Sequence, residues 1–227
     1  MTSFTTLQYN ITPRTKIESL DQIKVYEGER QIPVTALSSL NNKVVSGELT
    51  LGETLDISKT YEIEIPGYGR KAVIPTTVFD SQEFIDNYTY SGNDLGAYID
   101  GSATTFKVWA PTASKVVLNL FTAGDKVDAY KNVEMVKGDK GVWSHTEACG
   151  HGTYYTYSVT TSVGTQTATD PYAKSAGLNG DRSMVIDLDS TDPLNWDLPY
   201  TAGTDSYTEA VIWEVHVRDF SNKMANS

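Results

Sequence analysis

The sequence is poor in cysteine and in positive charge, and it lacks any long apolar run. Cys149 is the single cysteine among 227 residues, so no internal disulfide can form and stability must come from a hydrophobic core. The net charge of −11 repels phosphate backbones and argues against nucleic acid as a partner. No stretch approaches the roughly 18 apolar residues of a membrane-spanning helix, so no membrane partner is expected.

Targeting and cofactor signals are also missing. The first ten residues, MTSFTTLQYN, lack the basic and the apolar parts of a secretory signal. The sequence therefore predicts a cytoplasmic protein, or a secreted one whose signal has been removed. We expect no cofactor and no metal, since no clustered Asp or Asn loop stands out, and we expect a monomer.

Alternation of apolar and polar residues dominates what is present. In YEIEI (61–65) the apolar side chains fall on one face, and Tyr155, Tyr157 and Val159 alternate with polar neighbours. Turn-forming clusters such as residues 137–141 separate these runs. The pattern predicts an all-β fold of two tandem β-sandwiches, divided near residue 86. Residues 79–90 are predicted to be an irregular aromatic connector, and residues 189–209 a polar linker.

The pattern changes after this linker. AVIWEV (210–215) is nearly continuously apolar, which is typical of a strand covered on both faces in a parallel sheet. A parallel neighbour needs a crossover of about a dozen residues or more. Too few residues follow before Ser227 to provide one. We therefore interpret the sequence as a fragment.

Four groups of segments carry a family resemblance. They are VIPT with VFDS (73–76 and 78–81), YSGNDLGA leading into FKVWAPTA (90–97 and 106–113), DPYA with NGDRSM (170–173 and 179–184), and WEVHVRDF (213–220). In this order and spacing they resemble type I pullulanases, debranching enzymes of glycoside hydrolase family 13.

The resemblance implies an architecture and an activity. Residues 1–85 would be the N-terminal β-domain of such enzymes, and residues 86–192 an Ig-like carbohydrate-binding module of family 48. Residues 193–227 would be a linker and the first strand of a truncated (β/α)8 barrel. The full-length enzyme would hydrolyse α-1,6 links in pullulan, starch or glycogen.

The family's catalytic carboxylates lie on later barrel strands. Glu214 and Asp219 are therefore not assigned a catalytic role, and the fragment itself is predicted to be inactive.

Sugar-binding candidates follow from chemistry, because flat aromatic faces stack on pyranose rings. They are Trp143, which follows the turn at Gly141, together with Trp109 and Tyr155, for which packing is the competing interpretation. Glycogen-binding members of the module family carry a lysine and a tryptophan around the strand that spans residues 154–163 here. Thr156 and a turn at 162–166, without tryptophan, stand in those places, so weak or absent glucan binding is expected there.

Two other functions remain open. The chain could be a stand-alone α-glucan-binding module, or an Ig-like structural or adhesion protein, since sandwiches host many functions. The apolar segment after the linker argues against a finished binding module. The missing signal and anchor argue against adhesion.

Overall fold

The structure, a computed structural model, describes residues 1–196, 203 and 206–221. It confirms an all-β fold, in which the helices and 3-10 turns are short and lie between strands or after the last strand. The elements are β1 Thr6–Lys16, β2 Lys24–Glu27, β3 Arg30–Ile32, β4 Val34–Leu37, β5 Lys43–Leu51, β6 Glu62–Ile65, β7 Gly69–Ala72, α1 Gln82–Tyr88, β8 Gly96–Asp100, β9 Ala103–Trp109, β10 Lys115–Phe121, β11 Lys131–Glu134, β12 Val136–Lys137, β13 Val142–Glu147, β14 Tyr154–Thr161, β15 Gly164–Ala168, β16 Ser183–Met184 and α2 Val217–Ser221.

Strands β1 to β7 form the first sandwich. Its two antiparallel sheets have the strand orders β1-β5-β4 and β3-β2-β6-β7. Because side chains alternate along a strand, Leu49 of β5 and Val25 of β2 both point into one shared core. Both are fully buried there, together with Ile32 of β3. This core holds the two sheets together by apolar burial.

Strands β8 to β16 form the second sandwich. One sheet has the order β11-β10-β14-β15, with β16 also paired to β14, and the other has the order β12-β13-β9-β8. Phe106 of β9 and Tyr155 of β14 meet edge to face between the sheets, with ring centroids 4.9 Å apart. Leu118, Leu120 and Trp143 complete the centre of this second core.

The connector between the sandwiches is helical, so the prediction of an irregular segment at residues 79–90 is wrong. A 3-10 turn at Thr77–Asp80 leads into α1, and Ser81 caps this helix by accepting a hydrogen bond from Phe84 N at 3.1 Å. Phe84 and Tyr88, four residues apart, stack with centroids 5.0 Å apart and pack on the first core. The predicted domain boundary near residue 86 falls inside this helix.

Residues 188–227 form a separate compact unit that begins five residues before the predicted linker boundary at 193. Residues 210–216 are not in a strand, Val217–Ser221 is a short helix, and the side chains of Val211, Ile212 and Trp213 are exposed. A barrel strand is held by its hydrogen-bonded neighbours. The assignment of this segment to a barrel therefore stays a prediction. Within the described ranges, no helix has both the length and the apolar character needed to cross a membrane.

Candidate functional site

The outer face of the β10–β14–β15 sheet is built from hydroxyl and amide side chains. Asn119 Nδ2 donates to Thr156 Oγ1 at 3.2 Å and to Ser158 Oγ at 2.9 Å. Hydroxyl pairs then continue across the strands, Ser158 with Thr167 at 2.9 Å and Thr160 with Thr165 at 2.8 Å. The pairs stabilise the sheet and use part of its hydrogen-bonding capacity. We call this surface the hydroxyl face: Asn119, Ser158, Thr160, Thr165 and Thr167, which lie beside the buried Thr156.

Two aromatic residues at the end of this sheet are covered. The guanidinium carbon of Arg182 lies 3.7 Å from the ring centroid of Phe121. Arg182 is anchored there because Nη1 and Nη2 donate to the carbonyls of Ala123 and Val127, both at 2.6 Å. Tyr154 packs against the backbone around Gly124, where an added Cβ would lie 3.0 Å from its ring. Both residues are only partly exposed.

The opposite side of the second sandwich faces the connector and encloses a pocket of about 300 Å³. Four parts of the chain line it: the connector with α1, the segment that leads into β8, the end of β9, and the loop after Asp170. We call it the joint pocket: Phe79, Phe84, Ile85, Thr89, Tyr90, Leu95, Trp109 and Tyr172.

Trp109 is held in place at the end of β9. Val108 points into the core, so alternation directs Trp109 outwards, and its indole is 36% exposed. Its Nε1 donates to the carbonyls of Tyr88, at 2.9 Å, and Lys140, at 3.0 Å. One side chain therefore bridges the end of α1 and the 3-10 turn Asp139–Gly141. These two hydrogen bonds fix the ring orientation in the pocket wall.

Tyr172 is placed by its own loop. Its backbone N–H donates to Asp170 Oδ1 at 2.8 Å, while its side chain is 41% exposed. Strand β8 starts against this loop at Gly96, whose φ is +108°. A Cβ at Gly96 would lie 2.9 Å from the Tyr172 carbonyl oxygen, so only glycine allows this approach.

A polar group lies beside the pocket. Tyr90 OH and Lys107 Nζ both donate to the Asp94 carboxylate. The Lys107 ammonium, and then the Tyr90 hydroxyl, hold the pKa of Asp94 below its usual value, and Asp94 in turn raises the pKa of Lys107. At neutral pH these groups form a fixed ion pair. Across the described residues, no group of three or more His, Cys, Asp or Glu side chains is placed to hold a metal ion.

A buried polar network supports the Tyr172 loop from inside. Tyr155 OH donates to Asp170 Oδ2 at 2.8 Å, with Tyr157 OH at 3.4 Å, and Asp170 N donates to Ser183 Oγ at 2.8 Å. Burial raises the pKa of the Asp170 carboxyl and of both tyrosine hydroxyls. All four side chains are buried. Their role is to join β14 to the Tyr172 loop and to β16.

The three predicted sugar-binding residues do not come together. Trp143 is 4% exposed and donates through Nε1 to the Ala110 carbonyl at 3.0 Å, and Tyr155 is 0% exposed. Both are core residues. The prediction that they stack on a sugar is therefore wrong, because a buried ring has no free face. Trp109 alone lines a pocket. The sequence reasoning missed Tyr90 and Tyr172 as site residues, although both lie in segments quoted for the family resemblance.

Comparisons with known proteins agree with this architecture. Residues 94–173 match the model of carbohydrate-binding module 48, the isoamylase N-terminal domain. The chain is 32% identical to a pullulanase of Bacillus subtilis over 151 residues, which cover 66% of this chain and 19% of that protein.

Two solved structures are also similar. A pullulanase from Anoxybacillus sp. LM18-11 complexed with maltotetraose has a TM-score of 0.69 and 27% identity, covering 97% of this chain and 30% of that one. A pullulanase from Paenibacillus barengoltzii in complex with maltohexaose and α-cyclodextrin has a TM-score of 0.55 and 39% identity, covering 61% and 22%.

In each of these comparisons, the match spans less than a third of the relative's length. The chain is therefore similar to pullulanases over part of their length, and its residues 94–173 match the model of carbohydrate-binding module 48.

Proposed function

We propose that this chain is the non-catalytic N-terminal accessory region of a pullulanase-type enzyme. The observation that carries the proposal is the match of residues 94–173 to a carbohydrate-binding module, in a chain 32% identical to a pullulanase. In this proposal residues 1–85 are the preceding β-domain, and residues 193–227 are the linker and first strand of a (β/α)8 barrel. The full-length enzyme hydrolyses α-1,6 links in pullulan, starch or glycogen.

An α-glucan is the proposed ligand of the full-length enzyme. Two similar solved pullulanases are complexes with malto-oligosaccharides, maltotetraose in one and maltohexaose in the other. Malto-oligosaccharides are uncharged, which suits a chain whose net charge of −11 repels anionic ligands. The accessory region would hold the polymer while a barrel acts on its branch points.

Catalysis by this chain alone is not expected. Retaining glycoside hydrolysis needs two carboxyl groups about 5–5.5 Å apart across the scissile bond. Barrel enzymes draw such groups from the C-terminal ends of several strands. The carboxylates of the segment assigned to the first strand, Glu214 and Asp219, are exposed, and Asp219 pairs with His216 Nδ1 at 3.3 Å.

The activity test is direct. Purified chain is incubated with pullulan, and new reducing ends are measured against a buffer blank. We expect none above the blank. Turnover that persists through a second purification would contradict a purely accessory role.

The binding test is independent of activity. The unaltered chain is run through native gels with and without glycogen or pullulan. A non-binding protein of similar size is the reference. We expect a measurable, modest retardation, because the hydroxyl face offers no open aromatic ring. Equal mobility in all gels would contradict a glucan-binding role.

A further inference from the structure

The joint pocket combines exposed aromatic rings from separate elements. Phe79 comes from the connector, Trp109 from β9 and Tyr172 from the loop after Asp170, and all three are partly open to solvent. A pyranose ring has apolar faces made of C–H groups and a polar edge of hydroxyls. Flat aromatic side chains suit those faces, and small-molecule pockets are lined mainly in this way.

Polar groups suited to the sugar edge lie next to these rings. Asp94 adjoins the lining residue Leu95, and it accepts from Tyr90 and Lys107. A carboxylate can accept about four hydrogen bonds and an ammonium can donate three, so both groups keep capacity for ligand hydroxyls. Hydrogen bonds to charged groups are shorter and stronger than neutral ones. The ion pair therefore offers both an acceptor and a donor in fixed positions.

The pocket wall is preorganised. The Trp109 indole is tied to two backbone carbonyls, and Lys140 Nζ donates to the Asp86 carbonyl across the same joint. The Tyr172 loop is tied to the buried Asp170 carboxylate. A site that is already ordered loses less side-chain entropy when a ligand binds.

Charge and size narrow the ligand class. The ion pair of Asp94 and Lys107 is neutral as a whole, and the chain carries a net charge of −11, so an uncharged ligand fits better than an anionic one. A volume of about 300 Å³ lies at the lower end of the range for small-molecule pockets. It suits a short stretch of a polymer whose remaining units stay in solvent.

We propose that the joint pocket binds a short stretch of an α-1,4-linked glucose chain, and that it serves this chain as a glucan site in place of the hydroxyl face. This inference rests on the proposed function, which supplies α-glucan as the ligand. It adds the surface and the residues: Phe79, Trp109 and Tyr172 contact the sugar faces, and Asp94 with Lys107 binds its hydroxyls.

The test measures the affinity of the full chain for maltohexaose by titration calorimetry. Tyr172→Ala keeps the Cβ atom next to Gly96 and the backbone hydrogen bond to Asp170, so the loop should stay folded. We expect Tyr172→Ala to weaken maltohexaose binding roughly tenfold, as is typical of losing an aromatic anchor. Tyr172→Phe keeps the ring and should stay within about threefold of the unaltered chain.

Two matched controls separate the surfaces. Tyr130→Ala removes an exposed tyrosine outside the joint pocket, and Ser158→Ala removes a hydroxyl from the hydroxyl face. Both should bind within about twofold of the unaltered chain. Cellohexaose, the β-linked isomer, should bind more weakly than maltohexaose. Thermal melts of every variant check that it is folded.

The outcomes are distinguishable. If the unaltered chain binds maltohexaose and Tyr172→Ala binds equally well, this inference is wrong while the proposed function stands. The same holds if Ser158→Ala is the variant that loses affinity. If the unaltered chain binds no glucan at all, both proposals fail.

Discussion

The hydroxyl face and the joint pocket lie on opposite outer sides of one sandwich and differ in what their side chains leave free. On the hydroxyl face, Ser and Thr hydroxyls bond to one another, and Arg182 covers the ring of Phe121. In the joint pocket, the polar groups lie at the edge of the pocket, and aromatic rings such as that of Tyr172 are partly exposed to solvent. A sugar site requires open aromatic faces and, beside them, polar groups that still have hydrogen-bonding capacity for the ligand.

The comparison shows that a binding surface need not lie on the face of the module with the most polar side chains. Hydroxyl groups that already bond to each other must give up those bonds to bind a ligand, so the net gain is small. Aromatic rings that are exposed and held in place have no such competing interaction. The joint pocket depends on the connector, which supplies Phe79, Phe84 and Ile85.

The largest expected effect on stability comes from disrupting the buried polar network that supports both surfaces. Asp170→Ala leaves the buried hydroxyls of Tyr155 and Tyr157 without their acceptor. We expect a loss of about 3 kcal/mol in the free energy of unfolding, since each buried unsatisfied group costs about 1–3 kcal/mol. Urea denaturation followed by circular dichroism measures it.

Asp170→Asn is the control, because it keeps one acceptor oxygen and should lose about half as much. An alanine variant within about 0.5 kcal/mol of the unaltered chain would show that the network does not support the sandwich.

A smaller loss of stability is expected when the contacts of Trp109 with the connector are removed. Trp109→Ala removes the ring and its two hydrogen bonds, to Tyr88 and Lys140. We expect it to lose about 2 kcal/mol of stability, less than a fully buried tryptophan because the ring is half-exposed. Trp109→Phe keeps a ring in the pocket wall but loses the indole N–H, so it should lose only about 1 kcal/mol.

Glucan affinity should follow the ring and not the hydrogen bonds. Trp109→Phe should retain most of the affinity for maltohexaose, and Trp109→Ala should lose it. If the phenylalanine variant loses as much affinity as the alanine variant, the indole position matters more than an open aromatic face. Parallel melts show whether either loss follows from unfolding.

The smallest expected effect is a pH dependence that the hydroxyl face cannot produce. The pKa of Asp94 is lowered, first by Lys107 and then by Tyr90. A carboxylate with a lowered folded pKa contributes its interactions above the ordinary value of about 4, and loses them as pH falls through the lower folded value. Near neutral pH Asp94 stays charged, so we expect maltohexaose affinity to be independent of its titration there. We expect the affinity to decline below about pH 4.

Asp94→Asn should lower the affinity about threefold at neutral pH and remove the decline on acidification. Ser158→Ala, on the hydroxyl face, should keep the profile of the unaltered chain. An unchanged profile in Asp94→Asn would place the titrating group elsewhere. Circular dichroism at each pH shows where the chain is still folded.

Much of the fold follows from local pattern. Alternation at residues 154–160 predicted β14, and turn residues at 137–141 predicted the break before β13, both as observed. The connector was predicted as an irregular segment and its helix was missed, because the helix depends on a single Ser81 cap and on the Phe84–Tyr88 pair packing against the first core. A helix of seven residues has little stability of its own and forms where tertiary packing supports it.

The candidate site divides in the same way. Alternation determined that Tyr155 and Tyr157 share a face with each other and that Trp109 opposes Val108. It did not determine the side on which the second sheet would lie. That was decided by antiparallel pairing between distant strands, which sets Trp143 opposite Val108 and Val142 opposite Trp109.

The sequence alone predicted an all-β chain, the alternating faces of several strands and the resemblance to pullulanases. Only the tertiary structure decided which tryptophan is buried and which lines a pocket. The physical reason is that a side-chain period of two residues sorts a strand into two faces but leaves both open. One face becomes core when the opposite sheet covers it, and the joint pocket forms where the chain folds the connector helix against Trp109 and brings in Tyr172.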